Sequence, residues 1–187
     1  MKKLLAFGIV LCVLFMSLAL ADGEEMISDG SPIRLEDFTL NVDAGTKYTI
    51  SDKSAGEVLI IFYPRAASGD TASNINASWA GGLYDVTTDM LDSIRDSMKE
   101  SITSGYKAAG YTVGSMELGN SFDFTLAGEP CVALDNLTNL SSGSISINVY
   151  QRLFYFGAKG YVFTVSAPDE ETRESLCEML NACLVWN

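Results

Sequence analysis

Histidine is absent from the chain, and this removes the commonest routes to catalysis. Serine and cysteine nucleophiles usually depend on a histidine base, and histidine is a frequent ligand of zinc. A glycine-rich phosphate loop followed by lysine and serine or threonine does not occur in the sequence either. We therefore expect a protein that is not an enzyme and that uses no cofactor and no metal.

Carboxylates are the abundant reactive groups that remain. Asp89, Asp92 and Asp96 share one face of a predicted helix, which is an arrangement that a weak calcium site would use. Calcium needs about six to eight oxygen ligands, usually gathered by a loop of the type Asp-x-Asp-x-Asp-Gly, and the sequence has no such loop. A solvated helix face is the favoured interpretation. A hydrolase that works with two carboxylates alone is a remote alternative.

The cysteines leave two alternatives open. Cys177 and Cys183 lie about 240° apart around a predicted helix, so they cannot pair with each other while the helix is intact. A disulfide from Cys131 to Cys177 or Cys183 is one alternative. The other is three buried thiols that act as small apolar side chains.

The N-terminus has the pattern of a secretory signal peptide. Two lysines precede an apolar run, and a small-x-small sequence ends at Ala21 before acidic residues. We predict a signal peptide over residues 1–21, a flexible leader over 22–35 and a single domain over 36–187; a retained anchor helix is the alternative to cleavage. No membrane span is expected after cleavage, so the predicted location is secreted or extracytoplasmic, in the cell envelope.

The charge of the chain limits its partners. Asp and Glu number 24 against 12 Lys and Arg, and the formal net charge is −12. Such a surface repels nucleic-acid phosphates and anionic lipid headgroups. We therefore expect no nucleic-acid partner, and an unknown protein with a basic surface is compatible with this charge.

Periodicity places the main elements. Residues 58–63 are apolar without interruption, which is typical of a strand covered on both faces. Apolar residues at steps of three and four predict a long helix over 88–109. Residues 144–165 alternate in polarity as in a β-hairpin, with a glycine turn at 157–160. A final helix is predicted to begin at Pro168, and Leu184 is predicted to belong to its buried face.

Residues 65–83 are predicted to form the longest irregular stretch. They are rich in Ser, Ala, Gly and Asn. Because long connections in compact domains are often functional, we name Asn74, Asn76 and Trp79 as candidate partner-binding residues beside the end of the sheet. The alternative is a surface loop that Trp79 pins into the core.

Gln151 is the fourth candidate. It lies in the first strand of the hairpin, on the same face as Val149 and Leu153. A buried glutamine must find hydrogen-bond partners, so Gln151 either orders the sheet or contacts a ligand.

The order of these elements resembles that of the PsbP-like superfamily. The resemblance extends over residues 36–186. It rests on motifs that are weak singly and informative in their order, namely Asn74-Ile75-Asn76, Gly110-Tyr111, Gln151 and Tyr161 to Thr164 before Pro168.

The resemblance implies an α+β fold, with a central antiparallel sheet and helices on both faces, an α/β/α sandwich. The same fold occurs in DcrB-type bacterial envelope proteins and in a Ran-binding nuclear import factor. Members act mainly as binding or assembly factors, and they share no catalytic residue that could be carried over. The leading hypothesis is an exported, non-enzymatic binding or assembly module; the alternative is a carrier of a small hydrophobic ligand.

Overall fold

The structure is a computed structural model that describes residues 24–52, 58–64, 73–81 and 86–187. The predicted signal peptide, residues 1–21, lies outside the described residues. Within the described ranges, no helix is long and apolar enough to cross a membrane.

The described residues form strands, helices and one 3₁₀ turn. The strands are β1 (Met26–Ile27), β2 (Ile33–Arg34), β3 (Phe38–Leu40), β4 (Lys47–Ile50), β5 (Val58–Tyr63), β6 (Asn74–Trp79), β7 (Thr112–Leu118), β8 (Phe122–Leu126), β9 (Glu129–Ser142), β10 (Ile145–Phe156), β11 (Tyr161–Ala167) and β12 (Leu184–Trp186). The helices are α1 (Thr88–Ser93), α2 (Arg95–Ala108) and α3 (Glu170–Cys183), and the 3₁₀ turn covers Gly157–Lys159.

Most strands belong to one antiparallel sheet. Its order is β1-β4-β5-β6-β11-β10-β9-β7, and β8 pairs with the first part of β9 beside β7. A second, small sheet has the order β12-β3-β2. The described residues therefore form mostly antiparallel sheet with three helices, which agrees with the predicted α+β class. The predicted hairpin is confirmed as β10 and β11, joined by the 3₁₀ turn.

The buried apolar side chains divide into two clusters. Alternate residues of one strand fall in different clusters: Phe154 and Phe156 of β10 belong to the first, and Leu153 and Tyr155 to the second. The first cluster includes side chains of α3, and the second includes side chains of α1 and α2. Because successive strand residues point to opposite faces, the sheet has apolar packing on each side. The helical members are Leu176, Cys177, Leu180 and Cys183 in the first cluster, and Leu91, Met98, Ile102 and Tyr106 in the second.

The stretch predicted to be a flexible leader over 22–35 instead contributes two strands. Met26–Ile27 pairs with β4, and Ile33–Arg34 pairs with β3. Ile33 is buried in the first cluster. Two-residue strands depend on backbone pairing and one buried side chain, so they leave almost no periodic signal in the sequence.

The irregular stretch predicted over 65–83 is also wrong in part, because residues 74–79 are a central strand. β6 lies between β5 and β11, with Ile75 and Ala77 in the first cluster. Asn and Ser are depleted in strands, and here two-sided pairing overrides that preference. Residues 65–72 and 82–83 of the predicted loop lie outside the described residues.

The helix predicted over 88–109 is divided at Ile94, where the backbone (φ −110°, ψ 8°) leaves the helical region. Thr87 caps α1 by accepting the Met90 N–H at 3.2 Å. The last helix begins with a similar cap, since Asp169 accepts the Thr172 N–H at 2.7 Å. It ends at Cys183, and Leu184 starts β12 instead of continuing the helical face as predicted.

Strand β12 brings Trp186 against the aromatic part of the first cluster. Its ring centroid lies 4.9 Å from that of Phe156 and 5.7 Å from that of Phe38, both at edge-on angles. The Lys159 Nζ lies 4.6 Å from the Trp186 centroid, within cation–π range. Trp186 thus connects the small sheet, the hairpin turn and the core.

We predict that Trp186→Ala lowers the free energy of unfolding by about 3 kcal/mol, because it removes a large ring from aromatic packing while part of that ring is exposed. Urea unfolding followed by circular dichroism measures the change. The matched control is Val185→Ala, since Val185 is 48% exposed on the same strand and should change stability by less than about 0.5 kcal/mol. Equal effects of the two substitutions would contradict the packing role of Trp186.

Candidate functional site

Buried polar side chains cross the middle of the large sheet on one face. The strand register aligns Asn136 of β9, Gln151 of β10, Ser166 of β11 and Asn74 of β6 side by side. We call these four residues the polar row. Alternation puts other buried polar residues on the same face: Asn76, Ser78, Thr138 and Thr164.

Gln151 is the centre of the polar row. Its Oε1 accepts hydrogen bonds from Asn136 Nδ2 at 2.9 Å and from the Tyr106 hydroxyl of α2 at 3.4 Å. Its Nε2 donates to Ser166 Oγ at 3.1 Å. Asn136 also donates to Thr138 Oγ1 at 3.0 Å. One glutamine thereby joins three strands and a helix. Of the two roles considered from the sequence, ordering the sheet or contacting a ligand, these bonds fit the first.

The structure brings three of the four candidate residues to the same face and leaves the fourth apart. Asn76 donates to Asn74 Oδ1 at 3.4 Å, beside the polar row. Trp79 lies opposite Tyr161 and packs against the first cluster, on the other face. Asn76 is 0% exposed and Gln151 is 4% exposed. The side chains of these two residues do not reach the surface. The expectation that a partner binds at Asn76 and Gln151 is therefore wrong.

The chemistry available to the polar row is hydrogen bonding between neutral amides and hydroxyls. Amide groups of Asn and Gln both donate and accept, and they do not titrate. Burial of such groups is stable only when they are paired, as most of these are. Within the described residues, Ser78 Oγ has no hydrogen-bond partner. The row therefore fixes strand register and presents no group for proton transfer.

The three cysteines are free thiols, so the structure contradicts the disulfide that was one alternative for Cys131 with Cys177 or Cys183. All three belong to the first apolar cluster. Burial raises the pKa of each thiol to about 12. A thiol with such a pKa stays protonated at neutral pH and is a poor nucleophile. The cysteines act as small apolar side chains.

An ion-pair network that the sequence did not indicate connects α3 to the sheet. Arg152 of β10 makes a bidentate pair with Asp135 of β9, at 2.6 and 2.8 Å, and donates to Glu174 Oε2 of α3 at 2.8 Å. Arg173 donates to Glu174 Oε1 at 2.7 Å and lies 3.4 Å from Asp135 Oδ2. The sequence carries no spacing signal for this pair, because Asp135 and Arg152 meet only through the register of β9 with β10.

The network shifts the pKa values of its members in opposite directions. Hydrogen bonds to Asp135 raise the pKa of Arg152 above its ordinary value, and they outweigh its burial. Burial raises the pKa of Glu174, but hydrogen bonds from Arg173 and Arg152 outweigh burial and leave that pKa below its ordinary value of 4.5. Both shifts favour the charged forms of Arg152 and Glu174 at neutral pH.

Asp92, one of the three carboxylates considered for calcium, has partners inside the protein. Its Oδ1 accepts from the Ser121 N–H at 3.1 Å and from the Arg95 guanidinium at 2.6 Å. These bonds lower the pKa of Asp92, that of the Ser121 N–H most. In the described part of the chain, no three carboxylate or cysteine side chains come together as metal ligands.

The outer surface of α3 is acidic. The helix contains Glu170, Glu171, Glu174 and Glu178, and its one basic residue, Arg173, is buried and directed towards the sheet network. Glu171 and Glu178 are exposed on the face that points away from the sheet.

Two concave regions flank the C-terminal end of α3. One, of about 200 Å³, has Asp43, Thr46 and Phe62 in its wall, together with Met179. The other is a shallow groove of about 440 Å³ beside Asn181 and Trp186.

Comparison with solved structures gives the fold. The solution structure of cyanobacterial PsbP (CyanoP) from Synechocystis sp. PCC 6803 superposes with a TM-score of 0.50 over 91% of this chain and 95% of that chain, at 13% sequence identity. The chain has a PsbP-like fold. Because the sequence identity is 13%, this similarity shows the fold alone. Neither a protein-family model nor a curated protein matches the sequence.

We predict that Gln151→Leu lowers the free energy of unfolding by about 2–4 kcal/mol, because it leaves the buried Asn136 amide and the Ser166 hydroxyl without their shared partner. Ser166→Ala removes one bond and should cost about 1 kcal/mol. Chemical denaturation measures both. A Gln151→Leu protein as stable as the wild type would exclude the ordering role.

A second prediction concerns pH. The lowered pKa of Glu174 contributes stability that is present above pH 4.5 and is lost as the pH falls through the folded-state pKa. Glu174→Gln lacks this contribution. We expect the wild type to be the more stable of the two at pH 7 and the difference to shrink steadily below pH 4.5, as measured by thermal unfolding across pH. A difference that stays constant down to the lowest pH would show that the ion pairs do not stabilise the fold.

Proposed function

We propose that the protein is an exported, non-enzymatic binding or assembly module whose partner surface is the acidic outer face of α3. The partner would be a protein with a basic surface. The observation that carries the proposal is the charge of α3, because Glu171 and Glu178 face outward while Arg173 faces the sheet.

The same proposal includes the placement of helices on both faces of the sheet and the location of the protein outside the cytoplasm. We infer an α/β/α sandwich, supported by the division of the helical side chains between two clusters. Export is supported by the signal-peptide pattern ending at Ala21. The likeness to DcrB-type envelope proteins and to the Ran-binding import factor is an expectation from the element order.

The interior supports binding over catalysis. The side chains of Asn136, Gln151 and Ser166 bond to one another, the thiols have raised pKa values, and the buried arginine Arg173 and the partly buried Arg152 are paired with carboxylates. What is left for function is the exterior. Charged exteriors steer oppositely charged partners and set their association rates.

The alternative of a carrier for a small hydrophobic ligand has less support. Drug-sized ligands occupy pockets of about 300–1,000 Å³ with mostly apolar walls. The more enclosed concave region of the described residues is about 200 Å³ and includes Asn41, Asp43 and Thr46 in its wall. The second region is shallow and includes Glu129 and Asn181.

The test is affinity capture from the envelope extract of the source cells at low and high salt, with mass spectrometry of the retained proteins. We expect one protein to be held at low salt and released at high salt. Glu171→Lys with Glu178→Lys should reduce its retention about tenfold, because the basic partner then meets like charges.

The matched control is Asp96→Lys with Glu100→Lys. It makes the same change in net charge on the exposed face of α2, again starting in the first turn of a helix. If both double variants lose the partner equally, net charge rather than the α3 face is responsible. If neither loses it, the proposed surface is wrong.

A further inference from the structure

One edge of β10 is left open beyond the end of β11. β9 pairs with β10 from Tyr155 to Ile145, whereas β11 reaches only as far as Tyr150, opposite Ala167. Pro168 follows and has no N–H with which to continue the ladder. We call residues 145–149 the open edge. Within the described residues, no strand pairs with this edge.

The open edge presents pairing groups to solvent. The N–H and C=O groups of alternate residues in an antiparallel strand point to opposite edges, so every second residue here directs its pair away from β9. Residues 145–148 are exposed, with Ile145 at 67% and Ile147 at 38%. An accessible row of this kind is a template for another strand.

The usual protection of such an edge is missing. Natural edge strands are blunted by charged side chains, prolines or bulges. Residues 136–151 contain no charged residue and no proline, and the β9–β10 register runs through them without a shift. The neighbouring stretch of β7, residues 112–116, is uncharged as well. An unprotected strand of Ile-Ser-Ile-Asn-Val is either an aggregation hazard or an occupied interface.

We propose that the open edge pairs with the open edge of a second copy of this chain, antiparallel, so that the large sheets of two molecules become continuous. The lack of charge on the open edge permits this occupant, and the strand sequence favours it. Each copy has a net charge of −12, so two copies repel each other over most of their surface and approach best where that surface is uncharged.

The strand sequence fits pairing with itself. Antiparallel pairing of identical strands has two-fold symmetry and closes at two copies. With the axis at Ile147, the two Ile147 side chains lie opposite each other and Ile145 lies opposite Val149. The apolar side chains of both copies then share one face, and Ser146 and Asn148 share the other. Pairing hence buries the two most exposed apolar residues of the hairpin.

The test is analytical ultracentrifugation of the purified protein from low micromolar to near-millimolar concentration. We expect a monomer–dimer equilibrium, which Ile147→Lys weakens about 100-fold or more by placing two lysines opposite each other. Ile27→Lys and Val185→Lys are the controls, since both residues are exposed, at 65% and 48%, and lie on other strands. A monomer at every concentration overturns the proposal, and so does a dimer that Ile27→Lys dissolves and Ile147→Lys does not.

Two further readouts do not depend on the variants. In the wild type, hydrogen exchange should show that protection of alternate amides between Ile145 and Val149 increases with protein concentration. Protection that does not change with concentration would count against pairing. Added salt should strengthen the dimer, because it screens repulsion between acidic bodies, while it weakens capture of a basic partner by α3. The two proposals can therefore fail separately.

Discussion

The antiparallel pairing of β9 with β10 is the interaction on which the rest of the structure depends. It is the longest ladder of the described residues, running from Tyr155 opposite Val132 to Ile145 opposite Ser142. β7 and β8 attach to the outer edge of β9, and β11 attaches to the outer edge of β10. Two of the polar contacts between the helices and the sheet also start from β10, at Gln151 and at Arg152. A slip of one residue in this ladder would exchange the two faces of β10 and put Arg152 where Gln151 is buried.

The two faces of the ladder use different chemistry for the same purpose. On one face Gln151 joins neutral side chains, and on the other Arg152 and Arg173 join Asp135 and Glu174. Neutral buried groups need partners but carry no large desolvation cost, so they suit the fully covered middle of the sheet. The charged set lies where Glu174 and Asp135 still reach solvent, which limits the cost of burying the arginines. Both sets depend on one register, and their agreement makes alternative pairings unfavourable.

Sequence patterns could predict the elements whose signal is local and could not predict those that arise from pairing. The apolar run of β5, the hairpin and the helical stripe are visible because packing repeats along the chain. The sequence pattern of β6 resembles that of a loop, because Asn74, Asn76 and Ser78 occupy the face that strands usually fill with apolar residues. What makes it a strand is backbone pairing with β5 and β11. Gln151 was identified because a polar side chain among apolar neighbours needs an explanation. The pairing of Arg152 with Asp135 cannot be predicted from the sequence, since only the register of the folded sheet brings the two residues together.

The strand β10 determines how two exposed surfaces of the described residues are placed relative to each other. Residues 150–156 of β10 lie within the sheet and hold α3, the source of the acidic face, through Arg152. Residues 145–149 of the same strand extend past β11 and carry no charge. One continuous strand, paired with β9 from Ile145 to Tyr155, therefore joins the acidic and the uncharged surfaces in a fixed relation. If both proposed contacts form, each copy in a dimer presents its α3 face in an orientation set by the sheet, without any flexible connection between the two functions.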